Sequence, residues 1–485
     1  MTTSLKSTFY KSTFWVTISL VYTRSLSFIV TLILAKMLLP SDFGIVAYAS
    51  LITEVISLFR ELGLNRTIVY LKKVDRSIEY TAFWIILLWS ISLYLILLTI
   101  TPLLSRFFNE IILKKILPIS SVSIIILSFP EVPIALLERN MQFKKKIIPD
   151  IINISTYTVI TLILVFNNYG FWAIIIGKII ADIAYSSSSL IIFKWYPRIK
   201  FDKTKIREML SFGKNIIGMG LVSFGIQHID DAIVGKMLGT SSLGHYDLAY
   251  RIGSVNSRNL SAIFGNILFP TYNKVRDSKW DLSNTFNKVF SQINLLSIPI
   301  GIGLFFFAPD FIILLYGNKW NLAIIPMQIM IIQGIIRCFG ISIGPIFLSL
   351  GRPDLSLKIS LGQLIILALF LYPATFYMAL IGVCIVKIFG SVFTITSHLY
   401  YLRKFIDIEY KRIIKNVITI TLPCIISGLL INYLFTKPIS KTNFLIEITL
   451  FSLFTTLLLF LFNTDIRFIT SDIYYKVKYQ IKDRF

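Results

Sequence analysis

Charge is scarce in this chain. Only 15% of its 485 residues are Asp, Glu, Lys or Arg, against about 25% in ordinary soluble domains, which excludes a water-soluble globule. Cysteine is scarcer still. Cys338, Cys384 and Cys424 stand singly in apolar surroundings without CxxC spacing, so a disulfide framework or thiolate metal centre is excluded and three small buried hydrophobes are expected. Of three histidines, His245 and His398 have no metal-ligand company, and no metal site is expected. No GxxxxGK[ST] or HExxH motif occurs, so neither ATP hydrolysis nor zinc-protease chemistry is indicated. Acidic residues number 25 against 48 basic ones, a formal charge of +23. In a soluble chain that surplus would suggest nucleic acid. Here the basic residues fall in short loops between apolar runs, so no nucleic-acid partner is expected.

Hydrophobic residues make up 55% of the chain, and they gather into about fourteen runs long enough to cross a hydrocarbon core about 30 Å thick. The runs are 13–35, 43–63, 81–104, 112–134, 147–167, 170–193, 211–234, 243–269, 289–316, 322–350, 355–377, 379–401, 413–435 and 443–463. Backbone groups in lipid must be satisfied within the segment, and strand-like alternation is lacking, so each run is predicted to be a helix. The predicted fold class is an all-α polytopic membrane protein. Its first run is too long for a signal-peptide core and reads as a permanent span. Alternate loops hold roughly 33 against roughly 8 Lys and Arg, which places both termini in the cytoplasm. Span 243–269 is the most polar, with Asp247, Arg251, Asn256, Arg258 and Asn259. Leaving it out would reverse the charge asymmetry of every later loop, so it is predicted to cross with its polar face hidden.

Residues 35–52, AKMLLPSDFGIVAYASLI, align without a gap on residues 235–252, GKMLGTSSLGHYDLAYRI. Lys36, Met37, Leu38, Ser41, Gly44, Ala49 and Ile52 match Lys236, Met237, Leu238, Ser241, Gly244, Ala249 and Ile252. An offset of six helices gives both halves one orientation, the parallel-repeat plan of a two-lobed transporter with its site between the lobes. The expected organisation is a lobe at 1–196, a cytoplasmic linker at 197–208, a second lobe at 209–404, and two further helices with a basic tail at 405–485. The segments SFPEVP (128–133) and IPIGIGLFFFAPD (298–310) are candidate bends.

Seven basic residues lie within spans: Arg24, Arg60, Lys178, Arg251, Arg258, Arg337 and Lys387. Facing lipid would cost about 2.5–3.5 kcal/mol each, so they must line protein or water. Lys178 with Asp182, and Asp247 with Arg251, are spaced i, i+4 and read either as local ion pairs or as ligands. Arg60 sits near a span end beside Glu61 and is expected to snorkel. Arg24, Arg258 and Arg337 have no acidic residue within one turn, and Arg251 and Arg258 share a helix face. A wet cationic cavity suits a phosphate-bearing substrate, because guanidinium groups bind phosphate bidentately. In QHIDDAIVGK, His228, Asp230 and Asp231 lie within about one turn. With Asp182 they are either a proton or sodium coupling site or a polar contact between helices.

Several stretches then resemble one family. LAKMLLPSDFGIVAYASLITEVISLFRELGLNRTIVYLKK (34–73), ALLERNMQFKK (135–145), LSFGKNIIGMGLVSFGIQHIDDAIVGKMLGTSSLGHYDLAYRI (210–252) and LFPTYNKV (268–275) look like Wzx-type oligosaccharide flippases of the polysaccharide transporter family, within the MATE-like superfamily. The likeness is to the branch that includes exporters of colanic acid and other exopolysaccharide repeat units. The resemblance implies a non-enzymatic transporter of two six-helix lobes around a cationic cavity. Such a protein moves undecaprenyl-pyrophosphate-linked oligosaccharide across the bacterial cytoplasmic membrane by alternating access. Arg24 matches a basic position of the family's first helix and Asp230 an acidic position in span 7, whereas His228 and Asp231 stand where relatives commonly carry Asn. Pyrophosphate is expected to bind Arg24, Arg258 and Arg337, helped by Arg251 and Lys178. No cofactor is expected beyond a coupling H⁺ or Na⁺, and the partners expected are membrane lipids and polysaccharide polymerase or chain-length proteins. Two alternatives are an ion-coupled multidrug or cation exporter, which the basic surplus disfavours, and a membrane polymerase, for which no large outer loop is visible.

Overall fold

The computed structural model describes residues 3–60, 64–70, 75–140, 142–199, 202–435 and 441–462. Glu61 and the basic tail after 462 lie outside them. Every regular element among the described residues is helical. Ten of these helices are long and apolar enough to cross a membrane, or eleven if the pair Leu113–Ile126 and Glu131–Arg139, bent by 42°, counts as one span. The expected figure of fourteen is not reached by apolarity alone. One of the ten, Pro353–Leu402, is broken at Ala379 (φ 48), between the two spans expected there. The helices Lys203–Gly253 and Val255–Val275 are not among the ten.

Both proline-rich segments predicted to bend do so. The first holds the 42° turn. The second ends the helix Lys279–Phe306 at Phe307 and starts Ala308–Leu315, with Pro309 in its first turn, where a missing amide hydrogen costs nothing. The polar face expected to be hidden is buried only in part: Asn256 is buried and its Nδ2 donates to the Ser297 carbonyl at 2.7 Å, whereas Arg251 is exposed and Asp247, Arg258 and Asn259 are half-buried. Cys338, Cys384 and Cys424 are free and buried.

Two compact units divide the chain between Asp247 and Leu248. The physical reason is close packing of the second repeat segment on the helix Pro40–Arg60. Tyr48 Oη donates to the Gly235 carbonyl at 2.6 Å, and a Cβ on Gly235 would meet the Tyr48 ring. A Cβ on Gly44 would strike the carbonyl of Thr240, and one on Gly244 the carbonyl of Pro40. With an offset of 200 the two contacts are each other's image, so the repeat legible in the sequence is also a reciprocal helix crossing. Elsewhere in this first unit, Phe83, Ile86, Leu64, Ile68, Val132 and Trp195 share a core.

In the second unit one core joins Phe286, Phe290, Ile343 and Phe347 with Leu402 and Ile406. Another seats the last two helices, Tyr410–Leu434 and Lys441–Phe462, on Lys279–Phe306 through Ile298, Ile302, Cys424, Ile431 and Phe451. Gly428 and Gly303 allow that approach, since a Cβ on them would meet Phe306 and Phe451.

Candidate functional site

The first unit holds an acidic cluster built around a histidine. Helix Lys203–Gly253 carries Asp230 and Asp231 side by side, about 100° apart on its surface, and their partners differ accordingly. Asp230 is fully buried and accepts a hydrogen bond from Tyr246 Oη. Asp231 Oδ2 lies 3.0 Å from His228 Nδ1. The other ring nitrogen, His228 Nε2, lies 3.2 Å from Glu54 Oε2 on the helix Pro40–Arg60. Phe224 stacks on the imidazole with ring centroids 4.5 Å apart. His228 therefore bridges two carboxylates from two helices, and a third sits next to it in sequence. Glu54 was not among the expected site residues. Its signal was present as an acid inside a span, but the pairing joins residues 174 positions apart.

Asp230 needs its hydroxyl partner. Tyr246→Phe removes the donor while leaving the ring, so it is expected to lower stability by about 1–3 kcal/mol. Thermal unfolding of the two purified proteins in detergent checks this.

The remaining candidates of this unit do not form one group. Asp182 is buried, with Ser123, Asn153, Lys178 and Arg60 as its electrostatic neighbours, and its Oδ2 has no hydrogen-bond partner among the described residues. Lys178 is exposed and no ion pair joins it to Asp182, so the local pair offered as one reading is not formed within 4.0 Å. Arg24, on the helix Thr3–Met37, is exposed and makes no side-chain hydrogen bond or ion pair among the described residues. Arg60 corrects the snorkelling expectation. It is buried, and its Nη2 donates to Glu131 Oε1 at 2.7 Å, while Asn65 Nδ2 donates to the other carboxylate oxygen.

In the second unit two cations, Arg337 and Lys387, stand at one ring. Tyr250 Oη accepts from Arg337 Nη1 at 3.5 Å, and Lys387 Nζ stands 5.3 Å from the Tyr250 ring centre. Arg251 follows Tyr250 directly, and Arg258 Nη2 donates to the Arg251 carbonyl at 2.5 Å. Arg337 and Arg251 are exposed, whereas Lys387 is buried. Three of the expected phosphate ligands, Arg251, Arg258 and Arg337, are thus neighbours of one tyrosine or of each other, and Lys387 joins them. Lys387 had only its position inside a span to recommend it; its proximity to Tyr250 depends on how two helices pack. His245 and His398 stay outside both groups, and no group of three His, Cys, Asp or Glu among the described residues could hold a metal ion.

Ten described helices long and apolar enough to cross a membrane define an integral membrane protein. The chain belongs to the polysaccharide biosynthesis protein family, whose pattern matches residues 33–325. Among its relatives, an uncharacterized membrane protein of the cps region of Klebsiella pneumoniae is 22% identical over 456 residues, 92% of this chain and 93% of that protein. The lipopolysaccharide biosynthesis protein WzxC of Escherichia coli K12 is 21% identical over 350 residues, 71% of this chain and 70% of WzxC. The fold is that of the lipid II flippase MurJ in its inward closed conformation, with a TM-score of 0.76 over 93% of this chain and 99% of MurJ at 16% identity. It is shared with an inward-facing multidrug resistance MATE transporter of the MOP superfamily, with a TM-score of 0.64 over 79% of this chain and 94% of that one at 14% identity.

Proposed function

We infer that this protein is a flippase for a polyprenyl-pyrophosphate-linked oligosaccharide repeat unit used in building a cell-surface polysaccharide. The names of its relatives support the substrate class, since they include WzxC and the succinoglycan biosynthesis transport protein ExoT of Rhizobium meliloti. The observation that carries the reading is chemical: Arg24 and Arg337 lie within spans and have no carboxylate partner among the described residues. A guanidinium kept in a membrane without an acid to neutralise it suits an anionic guest, and pyrophosphate matches its fork of donors. A cation exporter would need the opposite balance.

In this proposal Arg24, Arg258 and Arg337 bind pyrophosphate, with Arg251, Lys178 and Lys387 adding positive potential. The cluster of Asp230, Asp231 and His228 with Glu54 takes up the coupling H⁺ or Na⁺, and Asp182 is a second candidate. Lobes at 1–196 and 209–404 would move as the repeat units, in the bacterial cytoplasmic membrane with both termini inside. A polymerase or chain-length protein would receive the exported unit.

Replacing Arg24, Arg258 or Arg337 by Ala is expected to cut polysaccharide export at least about tenfold, the loss of one charge-assisted contact of about 1.5–3 kcal/mol. The Lys variants should retain more. Export measured at matched protein levels decides it: unchanged export in the Ala variants would remove the pyrophosphate role. Accumulation of lipid-linked repeat units in a strain lacking the protein is the expected phenotype, and drug sensitivity without such accumulation would favour the exporter reading.

A further inference from the structure

A cavity of about 400 Å³ in the first unit is lined by Arg76, Lys194 and Arg198 together with Glu79, Trp195 and Tyr196. It lies where helices end together. Helix Arg76–Phe108 starts there, and Trp172–Phe193 and Glu131–Arg139 finish there. The first two are long and apolar enough to cross a membrane, so the cavity sits at one rim of the hydrocarbon layer. That rim is the one whose loops hold the surplus of Lys and Arg, the cytoplasmic rim by the positive-inside rule.

Its charge is unbalanced. The side chains of Arg76, Lys194 and Arg198 make no hydrogen bond or ion pair among the described residues. Three cations face one carboxylate, Glu79, which keeps its charge while its Oε2 accepts from Trp195 Nε1 at 2.8 Å. The wall is also held in place. Trp195 packs on Tyr80 and Phe83 with ring centroids 5.8 and 5.5 Å apart, and the Arg198 carbonyl accepts from Trp84 Nε1 at 3.0 Å. Beside the cavity, Tyr196 and Ile199 are 69% and 95% exposed, apolar surface set at the membrane edge.

Three cations against one carboxylate, at an aromatic membrane rim, present the chemistry that holds a phosphate headgroup. We propose that this cavity binds the phosphate of an anionic phospholipid in the cytoplasmic leaflet. It uses none of the arginines assigned to the transported substrate, so it stands or falls separately from the flippase reading.

The test uses the full-length protein in detergent, titrated with phosphatidylglycerol, phosphatidylcholine or inorganic pyrophosphate and read by native mass spectrometry. Phosphatidylglycerol is expected to bind and phosphatidylcholine not. Affinity should fall about fivefold for each cation removed, and on the order of 100-fold in the triple variant R76A/K194A/R198A. E79Q keeps an acceptor for Trp195 and removes only the charge, so it should bind phosphatidylglycerol a few-fold more tightly, which keeps the proposal open to refutation if the triple variant does not fold. Equal binding of the two lipids, unchanged affinity in the triple variant, or no tightening in E79Q would each overturn it. Pyrophosphate displacing the lipid at equal concentration would assign the site to soluble phosphates and equally overturn the lipid assignment.

Discussion

Replacing Arg60 by Met is expected to destabilise the protein by about 3–5 kcal/mol, because the buried Glu131 would lose the guanidinium that meets it. Arg60 and Glu131 are 7% and 9% exposed and meet at 2.7 Å. Little solvent remains to screen a lone carboxylate. The pair also ties the end of the helix Pro40–Arg60 to the start of Glu131–Arg139, where a negative charge suits the helix dipole. At the other end of that short helix, Arg139 Nη1 donates to the Ile68 carbonyl at 2.7 Å, so Glu131 through Asn65 and Arg139 through Ile68 tie both ends of Glu131–Arg139 to the helix Leu64–Tyr70. The double variant R60M/E131L should recover much of the loss, since two apolar side chains can replace a buried pair at little net cost. Unfolding midpoints of the three proteins in detergent provide the measurement. A single variant as stable as the parent would mean that the charge is solvated.

The second large effect is expected at the glycine crossing. Gly44→Ala and Gly244→Ala each place a Cβ on a backbone carbonyl, of Thr240 and of Pro40 respectively. A carbonyl cannot rotate away as a side-chain end can, so the helices must separate, at about 3 kcal/mol, the upper part of the usual range for overpacking. Glycine pairs allow this approach in membranes, where close backbone contact replaces the missing hydrophobic drive. The two substitutions act on one crossing and should not add: once the first Ala has parted the helices, the second meets less resistance. Gly265→Ala is the control, because nothing lies within 4 Å of the added atom, and it should be neutral or stabilising by up to about 1 kcal/mol. Singles indistinguishable from this control, or a double variant losing the full sum, would show that the crossing is not tight.

The arginines assigned to substrate could be picked out before any fold was known, because a charge in a twenty-residue apolar run is conspicuous by itself. What each charge touches could not. Arg60 looked like a residue reaching for the interface beside Glu61, yet its acid lies 71 positions away. Lys178 and Asp182 looked like a pair at helical spacing, yet Asp182 turns inward and Lys178 outward. His228 was visible, but the second carboxylate that completes its bridge, Glu54, arrives from another helix.

Composition and the spacing of apolar runs were enough to determine an all-helical membrane protein and its breaks at prolines, because lipid leaves the backbone only one local solution and each run carries that solution within itself. The repeat, too, was legible as matched letters 200 residues apart. Only tertiary structure decided which charges neutralise one another, that the two repeat segments grip each other through paired glycines, and where the compact units divide. Those outcomes depend on distances between helices far apart in the chain, which side-chain volume and backbone approach set jointly and no single segment encodes.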